Sequence, residues 1–222
     1  LVFYKHDYAP AAVYNNCSGK HAGFLALSQH WGCDSRDYLD DAHPVQQAVR
    51  QAVADMHGTQ PGDLPIARDG CSAPIFGLSL YTQALGYQAL GAISHEATPR
   101  GQACQQVLAA VQAHPFMLAG SKRYCTRLLE TTADAVIGKT GAEGIFGLTL
   151  PERGLGVAVK IDDGRMGPQY AVAQHLLKKL GVANLEPLDA FEHGPLTNLN
   201  QWEVGTQGVE PSLFPDPLWS DG

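Results

Sequence analysis

Positive charge is scarce in this sequence: 15 Lys and Arg stand against 22 Asp and Glu, for a net charge of −7. That balance argues against nucleic acid or an anionic membrane surface as the main partner. Long apolar runs are missing too. Nothing approaches the ~18 consecutive apolar residues of a membrane-spanning helix, and Leu1-Val2-Phe3-Tyr4 is too short for the core of a secretory leader. There is no Cys-x-x-Cys pair, so neither a zinc ribbon nor a thioredoxin-type redox site is indicated. Five cysteines in 222 residues, an odd number, fit free thiols in a reducing compartment better than a disulfide framework. A cytoplasmic location is therefore expected. Internal repeats and low-complexity tracts are also absent. Charged residues make up only 17% against 45% hydrophobic, enough to build the core of one large domain or two small ones.

What is present is concentrated in three polar stretches. The first, Asn15-Asn16-Cys17-Ser18-Gly19-Lys20-His21-Ala22-Gly23, packs amides, a thiol, a hydroxyl, an amine and an imidazole into nine residues. Phe24, Leu25, Leu27 and Trp31 follow at once, so it reads as a loop feeding a helix with Ser18 as N-cap. A capped helix after an Asn-rich turn explains these residues; so does a ligand loop whose free backbone amides face a binding site. The second stretch is Arg68-Asp69-Gly70-Cys71-Ser72-Ala73-Pro74. The third is Gly138-Lys139-Thr140-Gly141-Ala142-Glu143-Gly144. Cys17 and Cys71 are either small buried hydrophobes or soft metal donors of the kind zinc prefers. Lys139 is either an exposed strand-end lysine in a Thr-Gly turn or a cation set along a cleft.

In this order the three stretches resemble the bacterial asparaginase family whose zinc-associated members have a serine-β-lactamase-like fold. The likeness runs from about Ala9 to the helix ending near Leu180, and more loosely to Glu210. It implies an α/β fold, a mixed sheet with flanking helices, that lacks the N-terminal part of the family pattern. It implies a zinc ion at Cys17, Lys20 and Cys71, with water completing the shell. Lysine is an uncommon ligand, since its amine must first lose a proton. The Lys-Thr-Gly strand followed by a hairpin and a last helix is the arrangement of serine β-lactamases and penicillin-binding proteins. It assigns Lys139 a catalytic role and makes Thr140, Gly141 and Glu143 substrate contacts. The implied reaction is hydrolysis of L-asparagine to aspartate and ammonia.

One part of the family pattern is missing. The family carries a Ser-x-x-Lys helix and a Ser-His-Ser-Gly loop upstream, holding the nucleophilic serine and its activating lysine. Residues 1–14 contain no serine, and the third residue after Ser18 is His21 rather than lysine. The nucleophile is therefore expected outside this chain, and the isolated chain is expected to be inactive. A homodimer or a complementing N-terminal segment would cover the sheet edge left open. The alternative is a non-catalytic zinc-binding module derived from the family. Among other candidates, His21 reads as a structural imidazole, Asp162-Asp163 as a turn, and Asp69 as a residue that orients a ligand.

Along the chain, helices are expected at 20–31, from Pro44 to Gly58, over Ile75–Leu90, Pro99–Ala113 and Tyr124–Leu129, and over about 166–180. A short strand is expected at Ile66–Asp69, and Lys139 on a central strand. Ile145–Leu150 and Gly154–Ile161 should form a hairpin. The family-like portion is expected to span 1–183, and 184–222 to be an irregular tail with one strand near Trp202–Val204.

Overall fold

In the computed structural model, which describes residues 8–214, the Asn15 side chain sets the start of the first helix. Asn15 Oδ1 accepts the Cys17 N–H at 2.8 Å, a turn that a side-chain amide makes readily. Helix α1 then runs over Ser18–His30, with Cys17 rather than Ser18 at the cap position. Helix α2, Pro44–His57, begins as expected with Pro at its first position. Its Val45 N–H is received by His43 Nδ1 at 3.2 Å, and Gly58 ends it at φ +64°.

The chain forms two compact units, Leu1–Leu78 and Ser79–Gly222. The first holds α1, α2 and a small hairpin, β1 (Ile66–Arg68) against β2 (Pro74–Phe76). The helix expected from Ile75 therefore starts late. Ile75 sits opposite Ala67 in the hairpin, and α3 (Leu80–Ile93) begins only after Ser79, whose Oγ accepts the Thr82 N–H at 3.1 Å. A short apolar run does not distinguish strand from helix, and the cap residue decided it.

The second unit adds α4 (Pro99–Ala113), α5 (Pro115–Ala119) and α6 (Tyr124–Thr132). Next come β3 (Ile137–Thr140), β4 (Ile145–Leu150) and β5 (Leu155–Lys160), which form an antiparallel sheet in that order. Helix α7 (Met166–Lys179), a single turn α8 (Asp189–Glu192) and a hairpin of β6 (Gly194–Thr197) and β7 (Glu203–Gln207) complete it. All pairings among the described residues are antiparallel, where a mixed sheet was expected, and β3 lies at an edge with β4 central.

Alternation gives the three-stranded sheet two different faces. Thr140, Phe146, Leu148, Leu150 and Val159 face a core shared with Tyr124, Leu128, Ala173 and Leu177. Full burial of each large apolar side chain contributes roughly 1.5–3 kcal/mol. The opposite face carries Lys139, Gly147, Ala158 and Gly156 across the three strands, and α3 packs directly on it. A Cβ on Gly156 would stand 2.1 Å from the Ala84 carbonyl oxygen, so only glycine allows that approach.

Residues 182–214 are more ordered than an irregular tail, and the rest of the expected tail lies outside the described residues. Leu185 and Leu188 are buried in the main core, and the Leu185 carbonyl accepts from Gln174 Nε2 at 2.9 Å. Where one strand was expected, β6 and β7 form a hairpin with Leu196 opposite Gly205. No helix among the described residues is long and apolar enough to cross a membrane.

Candidate functional site

Within the first unit the Asn15 turn and the β1–β2 loop place Cys17, Lys20, Asp69 and Cys71 together. The loop closes on itself: the Asp69 N–H donates to the Ala73 carbonyl at 2.9 Å, and the Ser72 N–H to the Asp69 carbonyl at 2.8 Å. Ser72 takes φ +71°, a left-handed conformation unusual for a residue other than glycine. Asp69 Oδ1 accepts the Gly70 N–H at 2.7 Å. That leaves Oδ2 facing Lys20 Nζ at 3.1 Å, Cys71 Sγ at 3.3 Å and Cys17 Sγ at 4.0 Å. The donor atoms of Cys17, Asp69 and Cys71 all lie within 4.8 Å of one another.

The charges in this cluster support each other. The hydrogen bond from Lys20, then those from Cys71 and the Gly70 N–H, hold the Asp69 carboxyl below the usual range. Burial works against the Lys20 ammonium, but its hydrogen bonds to Asp69 and Cys71 outweigh that and raise its pKa. Burial also pushes the Cys17 thiol up, reinforced by its contact with Cys71 and opposed by Lys20. Lys20 therefore carries its proton here, and Asp69 is the ready anionic donor. Two sulfurs and a carboxylate oxygen at this spacing suit a zinc ion. For Lys20 to join them as an amine it must first lose that proton.

A pocket of about 520 Å³ opens beside the cluster, lined by Val13, Asn15, His21, Leu25, Tyr38 and Cys71 among others. His21 Nδ1 meets the Tyr38 hydroxyl at 2.6 Å, in keeping with a structural imidazole.

The Lys-Thr-Gly stretch lies in the second unit, on β3 and the turn after it. Lys139 is half-buried, and its Nζ donates to the Thr140 carbonyl at 2.6 Å. Thr140 points to the core face, where its hydroxyl accepts from Gln169 Nε2 at 2.5 Å and the Tyr170 hydroxyl at 3.3 Å. The Thr140 N–H meets Cys125 Sγ at 3.3 Å. The Gly141 N–H donates to the Ile145 carbonyl at 2.8 Å. Glu143 is exposed in a tight turn at φ +57°, followed by Gly144 at +70°. Asp163 serves a turn, accepting the Arg165 N–H at 3.0 Å. Cys104 and Cys125 are buried, and all five cysteines are free.

The structure thus brings Cys17, Lys20 and Cys71 together. It also makes Asp69, weighed on sequence only as a ligand-orienting residue, the centre of the cluster. Tyr38, held by His21, had no signal in the sequence. The family model for L-asparaginase II matches residues 2–208. No match was found among curated proteins.

Proposed function

The chain belongs to the L-asparaginase II family, and from that premise we propose that it serves an amidohydrolase that converts L-asparagine and water to L-aspartate and ammonia. The family match over residues 2–208 carries this reading. We propose further that the units are parts of a serine-β-lactamase-like fold. The order of the Lys139 strand, the β4–β5 hairpin and helix α7 supports it. Lys139 supplies positive charge beside the attacking group and stabilises the negative charge that develops on the amide oxygen. Thr140 orients the strand from its core side, Gly141 lets substrate approach the backbone closely, and Glu143 contacts substrate from the exposed turn.

Cys17 and Cys71, with Asp69 or a deprotonated Lys20, would hold a zinc ion. Zinc there supplies a fixed positive charge and locks the two thiolates in place. The chemistry is nucleophilic rather than dependent on a metal-activated water. The nucleophilic serine is supplied from outside this chain, by a complementing segment or a partner copy. A cytoplasmic setting suits five free thiols.

The test is ammonia release from L-asparagine by this 222-residue chain alone and after addition of a segment that carries the Ser-x-x-Lys helix. The combination should turn over. The isolated chain should fall to the ~10³–10⁴-fold enhancement over water that binding and charge stabilisation leave behind. Full activity from the isolated chain would overturn the external nucleophile, with Ser18 and Ser72 the first residues to replace. No activity in either would overturn the reaction and favour a zinc-binding module.

A further inference from the structure

Cys17 and Cys71 come from separate parts of the sequence, yet their sulfurs share one carboxylate oxygen. Asp69 Oδ2 lies 3.3 Å from Cys71 Sγ and 4.0 Å from Cys17 Sγ, and the two sulfurs are within 4.8 Å of each other. Both thiols are free and half-buried. The other three cysteines differ. Cys104 and Cys125 are buried, and Cys33, half-buried like the pair, belongs to no such cluster among the described residues.

The sulfurs of a disulfide stand about 2.05 Å apart, so closing this pair takes at most about 3 Å of combined movement. Cys17 is the fixed partner: its N–H is held by Asn15 Oδ1 at 2.8 Å, and its carbonyl accepts the His21 N–H at 3.1 Å. Cys71 is the freer one. The β1–β2 loop is tied through Asp69, Gly70, Ser72 and Ala73, and none of those bonds uses the Cys71 backbone. The hairpin behind it is anchored by its own pairing, with Arg68 opposite Pro74.

We infer that Cys17 and Cys71 are an oxidation site: on meeting a hydroperoxide they form a reversible disulfide, which withdraws both sulfurs from any metal the cluster would hold. One sulfur, as thiolate, attacks a peroxide oxygen. The O–O bond breaks, and the other oxygen leaves as water once it takes up the thiol's proton, so that a sulfenic acid remains. The second sulfur attacks the first and the S–O bond breaks. That oxygen leaves as a second water with the proton of the attacking thiol. The pair is oxidised by two electrons, and the peroxide is reduced to water. With the second sulfur already in place this closing step is intramolecular, and it outruns further oxidation of the sulfenic acid. A dithiol reverses it by exchange. The disulfide needs no zinc; only its effect on metal content rests on the proposed zinc site.

The test treats this chain, stripped of metal by a chelator, with hydrogen peroxide. Remaining thiols are blocked with N-ethylmaleimide, and peptides are mapped without reduction by mass spectrometry. A cross-link between the Cys17 and Cys71 peptides should form at least about tenfold faster than the Cys33 thiol is lost, and dithiothreitol should restore both thiols. In Cys17→Ser the link should vanish and Cys71 should go on to sulfinic acid. Loss of the two thiols no faster than that of Cys33 would overturn the inference. So would their oxidation to sulfinic acid in the wild-type chain without linkage. Loading with zinc beforehand tests the metal separately. Zinc on the two sulfurs should slow linkage about tenfold or more, and an unchanged rate would overturn the effect on metal while the disulfide stands.

Discussion

Asp69 and Glu192 are both carboxylates held by a lysine and a second polar partner, yet they sit in opposite environments. Asp69 faces Lys20 with both side chains more than a third exposed, 38% and 37%. Glu192 is 2% exposed, with Lys178 Nζ at 2.6 Å and His175 Nδ1 at 2.8 Å. The cluster ties α8 to α7: Glu192 is buried, while Lys178 is 38% exposed and also meets Asp189 Oδ1 at 2.6 Å. In the Asp69 cluster the carboxylate has a lysine on one side and two sulfurs on the other, and the group remains open to solvent. Similar ion pairs thus serve a structural joint in one unit and a candidate ligand site in the other. Exposure and the company of thiols separate the two.

The largest expected effect is on metal content. Protein purified without chelator should carry about one zinc per chain, measured by elemental analysis. A Cys17→Ala, Cys71→Ala double variant should carry none. Lys178→Met should leave the metal untouched, because that cluster offers no thiol. Unchanged zinc in the double variant would remove the functional half of the contrast.

Next in size is Lys178→Met, which leaves Glu192 buried with only imidazoles beside it. Removing one partner of a buried pair destabilises by about 3 kcal/mol, read as a lower urea midpoint at unchanged slope. A loss below about 1 kcal/mol would place this pair with ordinary surface pairs.

Acid should sharpen the same distinction. Burial alone would raise the Glu192 pKa, but Lys178 and His175 overcome it and hold the carboxyl below its ordinary value. A depressed folded-state pKa means the stabilisation is complete above the unfolded value and is lost as pH falls through the folded one. Stability should therefore decline below about pH 4.5, and less steeply in Glu192→Gln. An identical pH profile in that variant would show that other carboxylates control acid unfolding.

The legibility of these features in the sequence followed how local their causes are. Helix α2 was readable because Pro44, the Val45-Val49-Val53 spacing and Gly58 are all local signals. The β3–β5 order was readable because period-two patterning and the Pro151-Glu152-Arg153 turn lie within a few residues of each other. Ile75 misled because one short apolar run fits two structures, and the partner strand at Ile66–Arg68 settled it. The hairpin at β6–β7 and the buried Leu185 and Leu188 were missed because prolines nearby suggested a loop, while α7 supplied the surface they pack on. At the site, the cysteines and Lys20 were found by motif. The central place of Asp69 needed the loop closure through Ala73, which leaves no trace in spacing.

The smallest expected effect is the most discriminating. Lys20→Met breaks the ion pair with Asp69, and in metal-free protein the loss should stay within about 1 kcal/mol, since exposed pairs are largely compensated by water. The same variant should weaken zinc binding by about 10–100-fold, whether Lys20 is an amine ligand or the partner that orients Asp69. The first quantity is the urea midpoint after chelator treatment. The second is competition against a chromophoric chelator. Asp69→Asn separates the two ligand roles: if Lys20 is the third ligand, loss of the carboxylate also frees its amine from the ion pair that raises its pKa, so zinc binding should hold or tighten at neutral pH. If Asp69 is the ligand, binding should fall at least as far as in Lys20→Met. A metal-free loss above about 2 kcal/mol in Lys20→Met, the scale of buried pairs, would show that Asp69 is a structural joint like Glu192, and the contrast between the two carboxylates would collapse.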